Sequence, residues 1–366
     1  MSKVDLSHVE KRYPDGTQAV SDMSLEILPG EFLCIIGPSG CGKSTTLRMI
    51  AGLESVSDGE IRIDGKNVIN VPSRDRDIAM VFENYALYPH LNVFGNIAMP
   101  LVARKTPKEE IRQRVDAVAR TLDISMHLKA KPRQLSGGQR QRVSLARAMI
   151  RRPKIFLMDE PLGHLEAYMR VDLRREIRRL HEVNGGTTIY ITHDQKEAAA
   201  ISDRVAVMSD GRLLQVGTIR ELLDRPATRF VAEFVGEPPI NIFEDIEHEA
   251  GMLHVAGTRL PMSDKLVALL AKANCQPPLS LGIRPDDLSL MTGCNKANGL
   301  DAEVVSVQPM GDWAAVICRC RGSIVTIVVP EAEMPHVGAP STLSVQMDNI
   351  HVFDASGTNV FLKGEH

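Results

Sequence analysis

A glycine-rich segment near the amino terminus has the composition of a phosphate-binding loop. It fits the pattern G-x-x-x-x-G-K-[S/T], with an apolar run before it and a helix-like stretch after it. Glycines let the backbone curl so that successive N–H groups point at phosphate oxygens, and the following helix adds its positive dipole end. We expect Lys43 to neutralise the β- and γ-phosphates of a nucleotide and Ser44 to offer a hydroxyl to Mg²⁺. The candidate nucleotide-binding residues are Gly37, Pro38, Ser39, Gly40, Cys41, Gly42, Lys43, Ser44 and Thr45.

Two consecutive carboxylates end a second apolar run, at residues 155–158. Asp159 lies where the carboxyl end of a buried strand is expected, which is where open α/β sheets bind their ligands. Its carboxylate suits the shell of Mg²⁺. Glu160 is the candidate general base that polarises an attacking water. The alternative for Glu160 is a charge at a helix amino terminus before Pro161.

Between these two motifs lies a second candidate anion site. A serine hydroxyl, two glycines and the start of a helix follow one another there, as in the first loop. Because the first loop already serves one triphosphate, this second site is expected to contact the nucleotide of another molecule. Its residues are Leu135, Ser136, Gly137, Gly138 and Gln139.

The elements that must position these residues alternate between strands and helices. Apolar runs at residues 31–37, 155–160 and 187–194 suit buried strands, and residues 111–122 and 171–183 carry apolar side chains at helical spacing. This alternation predicts an α/β fold with a largely parallel sheet.

The character of the chain changes near residues 236–239. Residues 1–235 contain 35 Lys and Arg against 30 Asp and Glu, whereas residues 236–366 contain 8 against 16. The second part also has short β-branched runs separated by Gly and Pro. We therefore predict two domains, with an α/β domain at 1–235 and a β-barrel or sandwich at 236–366.

Composition excludes several classes of protein. The chain has 366 residues, a net charge of −3 and 43% apolar residues, which is ordinary for a globular protein. It contains no apolar stretch long enough for a membrane span, and no secretory signal is expected at its start. The cysteine spacing fits neither a disulfide scaffold nor a zinc site. The near-neutral charge argues against nucleic acid as a partner.

These motifs together resemble the nucleotide-binding subunits of ATP-binding-cassette (ABC) transporters, over essentially the whole chain. The chain is most similar to ATPase subunits of bacterial importers for sugars, polyols and sn-glycerol 3-phosphate, the maltodextrin-type family. The resemblance implies a P-loop cassette with a mixed sheet and a helical subdomain at about 84–150. It also implies an all-β, oligonucleotide/oligosaccharide-binding-like (TOBE) domain at 236–366 that regulates and dimerises, and it implies ATP and Mg²⁺ as cofactors.

The resemblance assigns roles to further residues. Tyr13 corresponds to an aromatic that stacks on adenine, with an exposed strand tyrosine as the alternative. His193 matches the switch histidine that contacts the γ-phosphate. Glu83 stands where the family usually has a glutamine that senses Mg²⁺, and a carboxylate can still donate oxygen to that ion. The segment 84–91 resembles the surface that receives a permease, and packing inside the helical subdomain is its alternative.

The loop after the catalytic pair departs from the family pattern. The family more often reads PLSNLDA where this chain reads PLGHLEA. That segment is expected to cross the dimer interface, and the longer side chain of Glu166 shifts its carboxylate. The residues of this dimer-interface loop are Gly163, His164, Leu165 and Glu166.

The resemblance also implies partners and a location. Two cassettes pair head to tail, as a homodimer or as a heterodimer with a second cassette, and act with two transmembrane permease subunits. A periplasmic solute-binding protein takes part indirectly. The expected location is peripheral, at the cytoplasmic face of the inner membrane. Two alternatives stay open: a catalytically weakened cassette paired with a second ATPase, and an ABC ATPase outside transport.

Overall fold

The structure, a computed structural model, describes residues 1–249, 251–273, 278–291 and 299–362. The chain divides into two compact units, Met1–Ile219 and Arg220–His366.

Strands make up two sheets in the first unit. Their bounds are β1 (Val4–Arg12), β2 (Gln18–Ile27), β3 (Phe32–Ile36), β4 (Asp58–Ile63), β5 (Lys66–Asn67), β6 (Ile78–Val81), β7 (Ile155–Asp159), β8 (Thr187–Ile191), β9 (Arg204–Ser209) and β10 (Arg212–Gly217).

Helices follow four of these strands, β3, β6, β7 and β8. They are α1 (Lys43–Ala51), α2 (Val93–Ala103), α3 (Lys108–Thr121), α4 (Gly137–Met149), α5 (Ala167–Asn184) and α6 (Gln195–Ile201). Three of them, α2 to α4, come between β6 and β7 and occupy the segment for which the helical subdomain is predicted. Among the described residues, no helix is both long and apolar enough to cross a membrane.

A six-stranded mixed sheet forms the centre of the first unit, as the resemblance implies. Its strand order is β10-β9-β3-β8-β7-β6, and all neighbours are parallel except the antiparallel edge pair β9 and β10. β3, β7 and β8 are buried along their whole length, which explains their continuous apolar sequences. The register of the strands aligns the carboxyl ends of β3, β8 and β7, because Ile191 of β8 pairs with Ile35 on one side and with Asp159 on the other.

A second sheet covers α1 from the other side. Its order is β2-β1-β4-β5, with antiparallel neighbours. β2 alternates buried and exposed side chains along its second half, as expected for a sheet with one face on the core. The buried Arg76 secures the end of α1, because its guanidinium donates to the carbonyls of Met49 and Ile50 at 2.8 and 2.9 Å.

The second unit is rich in strands. They are β11 (Asn241–Glu249), β12 (Met252–Val255), β13 (Thr258–Pro261), β14 (Leu279–Ile283), β15 (Leu288–Leu290), β16 (Gly299–Pro309), β17 (Trp313–Cys320), β18 (Ser323–Pro330), β19 (Pro340–Val345) and β20 (His351–Phe353).

Two five-stranded antiparallel sheets result, with the orders β13-β12-β11-β14-β20 and β15-β19-β16-β17-β18. The strand-rich architecture is as expected, but the unit is not purely β. It also contains α7 (Ile219–Asp224), α8 (Arg229–Phe234) and α9 (Asp264–Ala273). α9 belongs to the core because Leu266 and Leu270, one turn apart, are both buried in it.

The division between the units differs from the predicted boundary at 235/236. Residues 220–235 belong to the second unit because hydrogen bonds tie them to its strands. The Arg284 guanidinium donates to the carbonyls of Leu223, Ala232 and Val235, and the Asn359 amide donates to the carbonyl of Pro226. The composition of the chain changes where the strands begin, but composition does not indicate hydrogen bonds between residues that are far apart in the sequence.

We predict that His351 makes the stability of the second unit fall at mildly acidic pH. Burial, helped by the positive charge of Arg284, lowers the pKa of His351 to about 4 from an ordinary 6.5. Below pH 6.5 the unfolded chain therefore binds a proton that the folded unit does not, so stability is lost as the pH falls from 6.5 towards 4. The expected loss from this group between pH 7 and pH 5 is about 2 kcal/mol.

Urea unfolding at both pH values, followed by the fluorescence of Trp313, measures this loss. Trp313 lies in β17 and is the only tryptophan of the chain. His351→Gln should shrink the difference between the two pH values by that amount, and His336→Gln, at an exposed site, should leave it unchanged. Equal pH dependence in the wild type and His351→Gln would contradict the assignment.

Candidate active site

Four of the candidate segments lie at one edge of the six-stranded sheet. Residues 37–45 follow β3, Glu160 follows β7, His193 comes shortly after β8, and Glu83 comes shortly after β6. Because these strands are parallel neighbours, their carboxyl ends meet at the same edge. The fold thus brings together residues that are up to 156 positions apart in the sequence, from Gly37 to His193.

The phosphate loop closes around the side chain of Lys43. The Lys43 ammonium is buried and donates hydrogen bonds to the carbonyls of Gly37 and Pro38 at 2.8 and 2.9 Å. Gly42 precedes α1 with φ 102°, and a Cβ there would collide with the carbonyl oxygen of Ala19. Glycine is therefore required at Gly42 both for its conformation and for the close packing of the loop.

Ser44 and Asp159 form the polar centre of the site. The Ser44 hydroxyl donates to Asp159 Oδ1 at 2.7 Å, and the Asp159 side chain is almost fully buried. Arg48, one turn into α1, places its guanidinium 3.9 Å from Asp159 Oδ2. Sequence analysis did not single out Arg48, although its spacing of four residues from Ser44 places both on one face of α1.

Glu160 contacts the candidate switch histidine directly. The distance from Glu160 Oε2 to His193 Nδ1 is 3.1 Å. Because a carboxylate only accepts hydrogen bonds, the histidine nitrogen is the donor. Glu160 has φ 43°, and its N–H donates to the carbonyl of Ile191 at the end of β8. The strained backbone of Glu160 is thus held by the neighbouring strand that leads to His193.

Buried hydroxyls and a carboxylate fix the backbone beneath His193. Glu197 Oε2 accepts hydrogen bonds from the Tyr190 and Thr192 hydroxyls at 3.0 and 2.8 Å. The Thr192 hydroxyl in turn accepts the N–H of Asp194, which caps α6. Burial raises the pKa of Glu197. Sequence analysis missed this cluster, since nothing in the spacing of these residues indicates that they meet.

Tyr13 lies beside the phosphate loop. It comes directly after β1, its ring is half-buried, and its hydroxyl lies 3.4 Å from Thr45 Oγ1. The Lys11 ammonium lies 4.9 Å from the centre of the ring. Tyr13 is therefore not a freely exposed strand residue, since it packs beside Thr45 of the phosphate loop.

Residues 135–139 begin α4. The Ser136 hydroxyl accepts the N–H of Gln139, and the Gln139 side chain accepts the N–H of Ser136, which is a reciprocal capping box. Gly137 and Gly138 pack closely against other residues: added Cβ atoms would lie 3.1 Å from Leu165 and 3.2 Å from Met169. The hydroxyl of Ser136 is nevertheless exposed.

Two family models match this chain. A family model described as ABC transporter matches residues 20–163, and a model described as TOBE domain matches residues 281–353. The sn-glycerol-3-phosphate import ATP-binding protein UgpC of Chromohalobacter salexigens is 43% identical, over 100% of this chain and 97% of that protein.

The chain belongs to the ATP-binding subunits of ABC transporters.

Other relatives of this ABC subunit carry different solutes in their names. The xylose/arabinose import ATP-binding protein XacK of Haloferax volcanii is 45% identical over 97% of this chain and 94% of its own length. The trehalose/maltose import ATP-binding protein MalK of Thermococcus litoralis is 45% identical over 99% of this chain and 100% of its own length.

Solved structures resemble the cassette part. The dimeric structure of MJ0796, a bacterial ABC transporter cassette, has a TM-score of 0.55 and 32% identity, and the match covers 59% of this chain and 98% of that chain. The same values apply to its dimeric post-hydrolysis state bound to ADP and Pi.

Glu83 and the dimer-interface loop of this ABC subunit meet each other. His164 Nε2 lies 3.2 Å from Glu83 Oε1. The structure therefore pairs Glu83 with His164, whereas Ser44 and Asp159 pair separately. Leu165 is buried, and Glu166 is exposed at the start of α5.

The segment 84–91 is partly packed against neighbouring helices and partly exposed. Tyr85 is half-buried and contacts the Arg140 guanidinium, whereas Tyr88 is 40% exposed and contacts Arg147. The buried Asn96 of α2 holds the backbone of Tyr88 on both sides, at 2.8 and 3.1 Å. An ordered backbone thus presents one aromatic side chain to solvent.

We predict that Glu197 is needed as a hydrogen-bond acceptor and not as a charge. Glu197→Ala leaves two buried hydroxyls unpaired and should lower the free energy of unfolding of the first unit by about 2–4 kcal/mol. It should also slow ATP hydrolysis about tenfold by loosening the turn that carries His193. Glu197→Gln keeps a side-chain acceptor and should stay within about 1 kcal/mol and twofold of the wild type.

Far-UV circular dichroism in urea and a phosphate-release assay measure the two effects. If Glu197→Gln were as damaging as Glu197→Ala, the negative charge itself would be required and the interpretation would be wrong.

Proposed function

We propose that this protein is the ATP-hydrolysing subunit of an ABC importer for a sugar, a polyol or a glycerol phosphate. The observation that carries the proposal is the meeting, at one sheet edge, of the Lys43 loop, the Ser44–Asp159 pair and the Glu160–His193 pair. The direction of transport, import, is inferred from the relatives, whose names describe import ATP-binding proteins for glycerol 3-phosphate, pentoses and maltose-type sugars.

The phosphate loop binds the triphosphate of ATP in this proposal. Its backbone N–H groups and the Lys43 ammonium face the phosphate oxygens, and a charged oxygen is a stronger acceptor than the carbonyls that Lys43 contacts in the structure. Tyr13 stacks on adenine beside the loop. The residues proposed to bind ATP are those of the phosphate loop, Gly37 to Thr45, and Tyr13.

Mg²⁺ fits the residues that the structure provides beside this loop. Hard oxygen ligands suit this ion, and the Ser44 hydroxyl and the buried Asp159 carboxylate already lie within 2.7 Å of each other. Ser44, Asp159 and Glu83 would hold it, with phosphate oxygens completing the shell. When bound, Mg²⁺ neutralises charge on the β- and γ-phosphates.

Hydrolysis depends on Glu160, which follows β7, and on His193, which follows β8. Glu160 accepts a proton from water as the water oxygen attacks the γ-phosphorus, and the bond to the β–γ bridging oxygen breaks to leave ADP. His193 contacts the γ-phosphate and helps orient the attacking water, and Glu160 holds its ring through Nδ1. The products are ADP and inorganic phosphate.

A second cassette completes the site. The exposed Ser136 hydroxyl and the amino terminus of α4 offer N–H groups to an anion that is not bound by their own phosphate loop. We therefore place residues 135–139 over the nucleotide of a partner, with the loop from Gly163 to Glu166 at the interface between the two copies. The partner is a second copy of this chain or another cassette, and the mass of the purified complex distinguishes them.

Transport requires subunits beyond this chain. The segment 84–91, with the exposed Tyr88, is the surface that we assign to two transmembrane permease subunits. The cassette then lies at the cytoplasmic face of the inner membrane, and a periplasmic solute-binding protein acts indirectly through the permease. Relatives of nearly equal identity carry different solutes in their names, so these names do not identify the solute of this importer. The second unit is assigned to regulation and dimerisation and not to nucleic acid, given its acidic composition.

We predict that Glu160→Gln separates ATP binding from hydrolysis. Loss of the general base should lower the rate of phosphate release by about 10²–10⁴-fold. ATP binding and ATP-dependent dimerisation should persist, because the phosphate loop is unchanged. Phosphate release and analytical ultracentrifugation with Mg-ATP measure these effects, with and without permease.

Glu182→Gln is the matched control, since Glu182 is an exposed carboxylate on α5. It should leave hydrolysis within twofold of the wild type. A Glu160→Gln protein that stays monomeric in Mg-ATP, or that hydrolyses ATP normally, would remove the basis of the proposal.

We predict that Glu83 gives the enzyme an altered Mg²⁺ dependence. Glu83→Gln removes a charged oxygen ligand and should raise the Mg²⁺ concentration for half-maximal hydrolysis about three- to tenfold. At saturating Mg²⁺ the same variant should bind ATP more tightly, because a negative charge beside the phosphates is gone. A Mg²⁺ titration of hydrolysis together with ATP binding tests both effects, and unchanged values would contradict a switch role for Glu83.

A further inference from the structure

We propose that His164 is a positioning residue for Glu83, and that their contact ties the loop after β6 to the loop after β7 within one cassette. The proposal rests on the proposed function, in which Glu83 lies near Mg-ATP. The proposal goes beyond that function because it assigns the His164 side chain a role within its own subunit, in addition to the interface role expected for the loop 163–166.

The contact is a close approach of two polar side-chain atoms. His164 Nε2 and Glu83 Oε1 are 3.2 Å apart, which places a ring nitrogen beside one carboxylate oxygen. Both side chains are about half exposed, at 59% and 52%. Without a partner, an exposed glutamate on a loop samples many rotamers. The imidazole therefore supplies an orientation that the local backbone does not impose.

The backbone of His164 is itself fixed. Arg170 of α5 donates to the carbonyls of the residues on either side, Gly163 at 3.2 Å and Leu165 at 2.9 Å. The Gly163 N–H donates to the carbonyl of Glu160, the candidate base. Arg170 also lies 3.7 Å from Asp194, next to the switch histidine. His164 thus presents its imidazole from a loop that is anchored to both catalytic residues.

The backbone after Glu83 is held by a different helix. The carbonyl of Tyr85, a residue with φ 60°, accepts hydrogen bonds from Ser144 at 3.1 Å and from Arg147 at 2.9 Å. Both donors belong to α4, the helix that begins with the Ser136 motif. The Glu83–His164 contact therefore joins a loop held by α4 to a loop held by α5.

One interaction then accounts for two departures from the family pattern. Glutamate instead of glutamine at Glu83 adds a negative charge near the phosphates, which opposes nucleotide binding. A histidine in place of the usual asparagine at His164 offers a ring N–H that holds this carboxylate and offsets part of its charge. Removing His164 should therefore weaken ATP binding only while residue 83 is charged.

The test is a double-mutant cycle in full-length protein that also carries Glu160→Gln, so that binding is measured without hydrolysis. The readout is the dissociation constant of a fluorescent ATP analogue at saturating Mg²⁺. His164→Ala should raise this constant about three- to tenfold, and His164→Gln, which keeps a donor, should stay within about twofold. In the Glu83→Gln background, His164→Ala should change it by less than about twofold.

Each outcome decides between the claims. An effect of His164→Ala that is equal in both backgrounds, or that His164→Gln does not rescue, would overturn the positioning role while leaving the ATPase assignment intact. If Glu83→Gln by itself changed neither nucleotide nor Mg²⁺ binding, the role proposed for Glu83 would be wrong. The positioning role of His164, which depends on it, would then be wrong as well. Thermal unfolding by circular dichroism should be the same for all variants, since both side chains are exposed.

Discussion

Four loops with candidate site residues meet at one sheet edge only because the strands that carry them run in the same direction. β6, β7, β8 and β3 are parallel neighbours, and each is followed at its carboxyl end by a candidate catalytic or binding residue. The pairing of Asp159 with Ile191, and of Ile191 with Ile35, sets these ends level with one another. A shift of one residue in either pairing would turn the aligned side chains to the opposite face of the sheet and separate Glu160 from His193.

Around this edge, side-chain hydrogen bonds hold backbone that the motifs alone do not stabilise. Arg170 fixes the loop after Glu160, Glu197 fixes the turn that carries His193, and Arg147 fixes the segment after Glu83. All three reach their targets from helices that follow the active-site loops or lie between them. Preorganised loops of this kind limit the rearrangement that binding of the nucleotide requires.

The second unit begins about 15 residues before the point at which the composition of the chain changes. Its strands begin near Asn241, close to where charge and β-branched content change. Two short helices before that point nevertheless belong to it, since Arg284 donates to the carbonyls of Leu223 in α7, Ala232 in α8 and Val235 just after α8. Without these bonds, polar backbone groups would stay unpaired. Burial lowers the pKa of this guanidinium to about 10. The boundary is thus determined by hydrogen bonding and not by local propensity.

The sequence by itself determined the fold class and located the phosphate loop, the acidic pair Asp159 and Glu160 and the helix start at Ser136, because each of these rests on residue types at fixed short spacing. The resemblance to the family singled out His193, Glu83 and His164, but treated them as separate features. Glu197 is a local case that the motifs did not indicate, since the turn between β8 and α6 brings it to Tyr190 and Thr192. Only the tertiary structure decided that Glu83 contacts His164, that Arg48 approaches Asp159 and that residues 220–235 join the second unit. These contacts join segments brought together by strand order and helix packing, and neither hydrophobic period nor local spacing encodes which distant partner a polar side chain will meet.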